Sequence, residues 1–279
     1  NYILDIGNIT THFKTYVSSM KELLANGYDA IFVGTGAPRG KDLIIEGRKE
    51  IKSNIHIGID WLASVAFNHI DKIGKRVLVL GGGNTAMDCC RTSRRLGGTD
   101  VKVVVRSPFE EMKASPWEIE DAQHEDIPFY NCHNPKAFIH ENGTLKGMLF
   151  EKVEAKKVDG KRVLVPTGEP DVFFEADDVV IAVGQENSFP WIEKELGIEF
   201  DKWNMPIVDK VTFNSTNPKV FFGGYSAFGP KNVITAVAHG HQAAISIDLF
   251  CNGQDLQKRP DPMTNLATTK MGIHEWAYD

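Results

Sequence analysis

"RVLVLGGGNTAMDCC", residues 76–90, runs an apolar stretch straight into three consecutive glycines and then into a segment of helical character. Val77 to Leu80 show no polar alternation, which marks a strand buried on both faces. Asn84 and Thr85 are of the residue types that open helices. The same grammar recurs elsewhere. "YDAIFVGTGA" (28–37), "ADDVVIAVGQ" (176–185) and "KVFFGGYSAFG" (219–229) each carry an apolar run into a glycine turn, and "DVKVVVRS" (100–107) supplies a further strand. Strand–glycine junctions therefore fall at 34–36, 81–83, 184 and 223–224. That pattern spells α/β architecture, doubly wound, with ligand sites at the carboxyl ends of the strands.

Between these junctions the chain changes character. "KTYVSSMKELLAN" (14–26), "IDWLASVAFNHI" (59–70), 84–96, "SPWEIEDAQHED" (115–126) and "NVITAVAHGHQAAISIDLF" (232–250) read as helices, with Pro116 in the first turn of its own. Packing of Ile234, Val237 and Ala238 into the core is one expectation for the last of them. "PRGKDLIIEGRKEIKSNIHIG" (38–58) reads as a loop-rich crossover. From 128 the residues alternate, with Asn-Gly and Asp-Gly turns, as in an antiparallel β meander. Four junctions around one inserted meander predict two interleaved Rossmann-like nucleotide-binding domains. The expected divisions are 1–74, a partial flavin-type domain with its crossover; 75–188, a dinucleotide domain carrying the meander; 189–250, the return to the first domain; and 251–279, a surface tail.

Composition narrows the function classes. The chain has 279 residues, is 42% hydrophobic and 24% charged, and carries a formal charge of −6. These values are those of a globular protein and give no general signal for nucleic acid or an anionic membrane. No apolar run reaches the roughly 18 residues of a membrane span. Cys89, Cys90, Cys132 and Cys251 form no C-x-x-C pair, so no zinc or iron–sulfur ligand set is expected. They fit packing residues in a reducing, cytoplasmic setting. The nine histidines lack H-E-x-x-H spacing and read as structural or surface groups. The opening "NYILDIGNITTHF" looks like the middle of a domain, so an excised segment of a longer protein is expected.

Gly81, Gly83 and Ala86 match G-x-G-x-x-A. The first glycine permits the tight turn, and the second lets backbone approach a pyrophosphate. The small third residue lets helix and strand pack closely, and the helix N-terminus offers free N–H groups to the anion. Gly82, Asn84 and Thr85 complete the candidate contacts. A helix-packing turn without ligand is the competing reading. An NAD site usually places Asp or Glu at the end of the second strand. Here Arg106 and Ser107 stand there, with Lys113 nearby, and all three suit the 2′-phosphate of NADP. At roughly 1.5–3 kcal/mol per charged hydrogen bond, two give a preference of about 10² to 10⁴. Glu110 or Glu111 turning to a ribose is the counter-reading, and a surface arginine with a solvated lysine is the bland one.

"GYDAIFVGTGAPRGKDL", "VLVLGGGNTAMDCCRTSRRLG", "VVIAVGQ" and "VFFGGYSAFGPKNVITAVAHGHQAA" resemble, in that order, the small (beta) subunit of bacterial glutamate synthase and the related module of dihydropyrimidine dehydrogenase. The resemblance spans roughly residues 1–250. It implies a glutathione-reductase-like fold with an NADP domain inserted in an FAD domain. It implies hydride transfer from NADPH to FAD, then single electrons to an iron–sulfur partner. It places Arg106, Ser107 and Lys113 at the 2′-phosphate and Ala182, Val183 and Gly184 near the nicotinamide half. Flavin contacts would come from Gly36, Gly224, Tyr225, and the helix start at Asn232 and Val233. Family members carry an FAD-binding G-x-G-x-x-G upstream of the region matched here, so the segment alone is expected to lose FAD and to be inactive. Tyr225 stands where the family has an Asp that bonds the ribityl chain. Either flavin binding is weakened there or the tyrosine is a neutral packing substitution. No side-chain acid, base or nucleophile is needed, and no catalytic residue or metal ligand is assigned. A non-catalytic NADP-binding sensor or docking module is the alternative.

Overall fold

A computed structural model describes residues 2–158 and 161–259. Part of the expected surface tail, 260–279, lies outside the described residues. The chain divides into two compact units. One joins the chain up to Gly36 with the chain from Phe189 onward, and the other is Ala37–Ser188. The second unit is thus inserted in the first, and its start lies at Ala37, well before the division expected at 74/75. The reason is a strand hidden in the crossover, described below.

In the discontinuous unit, helix α1 (Tyr2–Asp5) and helix α2 (Met20–Ala25) precede strand β1 (Ile31–Val33). The helix expected over 14–26 begins only at Met20. Lys14 adopts a left-handed φ of 55°. Ser19 caps α2, its side chain accepting from the Glu22 amide at 3.1 Å, so the residues before it are outside the helix.

The inserted unit contains β2 (Arg39–Gly40), β3 (Ile55–Ile57), α3 (Gly58–Ala66), β4 (Arg76–Leu80), α4 (Asn84–Arg95), β5 (Asp100–Val104), α5 (Pro116–His124) and β6 (Phe129–Tyr130). The meander follows as β7 (His133–Glu141), β8 (Thr144–Val158), β9 (Lys161–Pro166) and β10 (Val172–Glu175), then β11 (Asp178–Ile181) and β12 (Gln185–Glu186). Five strands form a parallel sheet in the order β3-β11-β4-β5-β6. From β4 the chain moves to β5 and β6 on one side, and β11 later returns to β4's other side, which makes the β4 edge a topological switch point.

Alternate residues of each strand serve opposite faces. Val77, Val79, Val101 and Val103 pack with Trp61 of α3, with Met87, Cys89 and Cys90 of α4, and with Ile119 and Ala122 of α5. Leu78, Leu80, Val104, Val179 and Ile181 pack instead on Phe138, Met148 and Phe150 of the meander. The expected double winding is therefore modified. Helices cover one face of the sheet, and an antiparallel sheet of β10-β8-β7, with β9 on β8, covers the other. Burial pushes the Cys90 thiol up to about 12 and Cys89 higher still, so both are inert packing groups.

Strand β3 was not legible because it has three residues, Ile55–Ile57, in a polar setting. Its fixing point is Asp178, 5% exposed. That carboxylate accepts from Asn54 Nδ2 at 3.1 Å and the Gly74 amide at 2.8 Å, and lies 2.8 Å from His56 Nε2. The charge is buried with its partners, as burial demands.

The chain then returns to the first unit with β13 (Val220–Phe222), α6 (Tyr225–Phe228) and α7 (Val233–Cys251). β13 pairs in parallel with β1, Ile31 opposite Val220. Met20, Val33, Phe189, Ile192, Val220 and Phe222 form the core. α7 buries Ala243 and Ser246. Ile234 is 80% and Val237 66% exposed, and Ala238 is exposed too. The expected core packing of these three is not found. Among the described residues no helix is long and apolar enough to cross a membrane.

Candidate functional site

The carboxyl edge of the five-stranded sheet gathers the turn after β4, the strand end after β5 and the turn after β11. The three glycines of the first turn differ in what surrounds them. Gly81 has a φ of +137°, and a Cβ there would lie 2.3 Å from the Ala182 carbonyl oxygen. This is the crossing point of the two turns: the Ala182 amide donates to Leu80 at 2.8 Å, and the Gly81 amide to Val104 at 3.1 Å. The same Cβ would meet Ala86 at 3.5 Å, which explains the small third residue of the motif. Gly81→Ala combines left-handed strain with a backbone clash, and is expected to cost about 3 kcal/mol or more. Denaturant unfolding of the variant measures it.

Gly82 is closed in by Val105 and Met112, its Cβ position 2.9 Å from Val105 Cγ1. Its carbonyl accepts from the amides of Lys113 and Ala114 at 2.8 and 2.9 Å. Gly83 is different. It caps α4 with an extended φ of −108°, and nothing lies within 4 Å of its Cβ position. The open space sits directly over the helix start. The carbonyl of Gly83 takes up the Ala86 and Met87 amides at 2.9 and 3.3 Å. Among the described residues no backbone partner is found for the amides of Gly83, Asn84 and Thr85. Free donors at a helix N-terminus facing open space are what an anionic group requires.

Arg106 is exposed at the end of β5, and Lys113 is exposed seven residues on. Ser107 is partly buried, and its carbonyl accepts from Asn131 Nδ2 at 3.0 Å and the Cys132 amide at 3.3 Å. Asn131 was missed in the sequence because it lies at the start of the meander, read as insert. Beyond it, Phe109 and Phe129 meet edge to face at 6.1 Å and line an open cleft of about 540 Å³ with Gln123 and Asn131. Glu110 and Glu111 lie in a short 3-10 turn, Phe109–Glu111, and are exposed.

Asn84 does not offer its side chain to the open space. Its Oδ1 accepts from the Ser115 amide at 2.7 Å, and its Nδ2 donates to Ser115 Oγ at 3.3 Å. Thr85 is partly buried and Ala86 is fully buried. At the neighbouring turn Ala182 is buried, while Val183 and Gly184 are exposed. The Gly184 carbonyl accepts from the Lys41 amide at 3.0 Å. The β2–β12 pair, Gln185 opposite Gly40, holds that turn from the far side. Neither β2 nor this contact was legible, since two-residue strands carry no periodicity.

The discontinuous unit gathers the second set of residues. Gly36 has a φ of +73° with nothing within 4 Å of its Cβ position. Gly224 has a φ of +65°, and its amide donates to His239 Nδ1 at 3.1 Å. The Tyr225 hydroxyl donates to the Lys231 carbonyl. Asn232 caps α7, accepting from the Thr235 amide at 2.8 Å, and Val233 is 78% exposed. Among the described residues no group of three or more His, Cys, Asp or Glu could hold a metal ion.

Comparison with known proteins gives the family and the fold. Residues 5–240 match the family model described as "Pyridine nucleotide-disulphide oxidoreductase". The chain is 30% identical, over 96% of its length, to the NADP(+)-dependent formate dehydrogenase subunit beta of Moorella thermoacetica, and covers 38% of that protein. It is 33% identical, over 81% of its length, to the glutamate synthase [NADPH] small chain of Halomonas elongata, and covers 50% of it. The chain therefore spans half or less of these relatives. Among solved structures, Mycobacterium tuberculosis FprA in complex with NADPH superposes with a TM-score of 0.65 at 17% identity, over 83% of this chain and 65% of that one. At that identity the likeness concerns the fold.

Proposed function

Since the chain belongs to the pyridine nucleotide-disulphide oxidoreductase family, we propose that Ala37–Ser188 binds NADP(H), that the discontinuous unit contributes to an FAD site, and that the module relays electrons from NADPH to an iron–sulfur partner. The observation that carries this reading is Gly83: an open position over free helix amides, flanked on the same sheet edge by Arg106 and Lys113. The residues present fit a dinucleotide. The Gly81–Ala86 turn suits the pyrophosphate. Arg106, Ser107 and Lys113 suit a 2′-phosphate, and the cleft of Phe109 and Phe129 suits the adenine. Ala182, Val183 and Gly184 suit the nicotinamide half.

In the other unit, Gly36, Gly224 and the free start of α7 at Asn232 and Val233 suit one edge of a flavin, where the helix dipole favours negative charge. Bound together, the two cofactors supply the redox chemistry, a hydride given by NADPH and accepted by FAD. The chain would orient them, and hydride transfer between two cofactors requires no side-chain acid, base or nucleophile. Relatives named for NADP(+) and NADPH, one of them a subunit, support the nucleotide and the partner. Free cysteines, two of them buried, suit a reducing cytoplasm.

Tyr225 favours a second reading, a nucleotide-binding module without flavin. Its hydroxyl donates to the Lys231 carbonyl, and no carboxylate stands at this position. One experiment separates the two. Anaerobic NADPH added to the full-length protein bleaches a visible flavin band if the relay reading holds. A colourless protein that still binds NADP supports the module, and one that binds neither overturns both.

A further inference from the structure

We propose that Asn84 is a positioning residue: it fastens the 106–115 loop to the glycine turn and thereby sets the preference for a phosphate-bearing dinucleotide. The inference rests on the nucleotide reading above. In the sequence Asn84 looks like a direct ligand contact. In the structure its carbonyl and one amide hydrogen are both engaged with a single residue, Ser115.

Ser115 is where the loop passes into α5, as that helix's N-cap. The three amides leading up to it are tied to the turn in succession. Lys113 and Ala114 donate to the Gly82 carbonyl at 2.8 and 2.9 Å, and Ser115 donates to Asn84 Oδ1 at 2.7 Å. Met112 lies against Gly82, its Cγ 3.3 Å from the Cβ position there. At the other end, the Ser107 carbonyl is held by Asn131 and Cys132. The candidate 2′-phosphate cations stand at these anchors, Arg106 next to Ser107 and Lys113 within the tied segment. A bound cation is effective only where its position is fixed beforehand, since ordering it on binding costs affinity. Asn84 supplies the tie nearest Lys113 that a side-chain substitution can remove.

The mechanism has a signature that a direct contact lacks. The pyrophosphate is common to NADP and NAD, so a residue touching it would affect both equally. A residue that positions the loop affects only the 2′-phosphate increment. The test is calorimetric titration of the wild-type protein, Asn84→Ala and Asn84→Asp with NADP and with NAD. Asn84→Ala is expected to weaken NADP about fivefold and NAD less than about twofold. Asn84→Asp keeps an acceptor for the Ser115 amide. Its added charge also repels the extra phosphate of NADP, and salt screens that repulsion. At high salt the NADP/NAD ratio of Asn84→Asp is therefore expected to exceed that of Asn84→Ala, and a ratio no higher than the alanine variant's overturns the positioning role.

In a Lys113→Ala background, Asn84→Ala is expected to leave the ratio unchanged, the two losses being non-additive. If Asn84→Ala fails to fold, Asn84→Gln, which keeps the amide but displaces it by a methylene, carries the same expectation as the alanine variant. An unchanged ratio in Asn84→Ala or Asn84→Gln, with or without equal loss of both nucleotides, overturns the positioning role. Failure of the wild-type protein to bind either nucleotide overturns instead the reading on which it rests.

Discussion

Gly83→Val is expected to weaken NADP(H) binding by about 100-fold or more, or at least ~2.7 kcal/mol, in a protein that still folds. The two halves of this expectation come from the same observation. A Cβ on Gly83 meets no protein atom within 4 Å, and the extended φ of −108° suits a β-branched residue. The cost to the fold is confined to a poorer helix cap, about 1 kcal/mol. The valine methyls instead fill the space over the free amides of α4, where the pyrophosphate would approach. Titration calorimetry reads the loss and thermal unfolding reads the fold. Gly81→Ala is the contrasting variant, because its added carbon strikes the Ala182 carbonyl and its loss is one of stability. Undiminished affinity in Gly83→Val would show that the nucleotide does not use this turn.

Arg106→Asp is expected to weaken NADP by about 100-fold and leave NAD equal or tighter. Arg106 is exposed at the end of β5, so its guanidinium is available for a phosphate. Each charged hydrogen bond is worth roughly 1.5–3 kcal/mol, and aspartate replaces that attraction with repulsion. The same carboxylate offers the ribose hydroxyls an acceptor, as acidic residues do at this position in NAD sites. The measurement is the ratio of the two dissociation constants. A ratio that does not move would transfer the selection to Lys113 or leave it with Glu110 and Glu111.

The parallel strands and the glycine turns were legible because burial on both faces writes an uninterrupted apolar run, and Val77–Leu80 and Val179–Ile181 are such runs. What could not be read were elements whose formation depends on distant partners. β3 is three residues long and is placed by β11 and by the Asp178 carboxylate. β2 and β12 are two residues each. The covering of the second sheet face by the meander was equally hidden, since alternation in β7 and β8 says that one side is buried but not against what.

At the candidate site, the glycine spacing announced the tight turn at Gly81 and the open position at Gly83. The role of Asn84 did not show, because its partner Ser115 lies 31 residues away and is brought near only when α5 docks beside α4. On α7 the apolar letters of Ile234 and Val237 suggested core, whereas the structure exposes them. An apolar residue at a helix start marks a core position only when another element covers it.

The Ala37–Ser188 unit is proposed to carry a site for NADP(H) at the carboxyl edge of its parallel sheet. Calorimetric titration of the wild-type chain with NADP and with NAD tests it most directly. One NADP is expected to bind per chain, about 100-fold tighter than NAD, from the two charged contacts at the 2′-phosphate. Absence of NADP binding, or NAD bound as tightly as NADP, would contradict it.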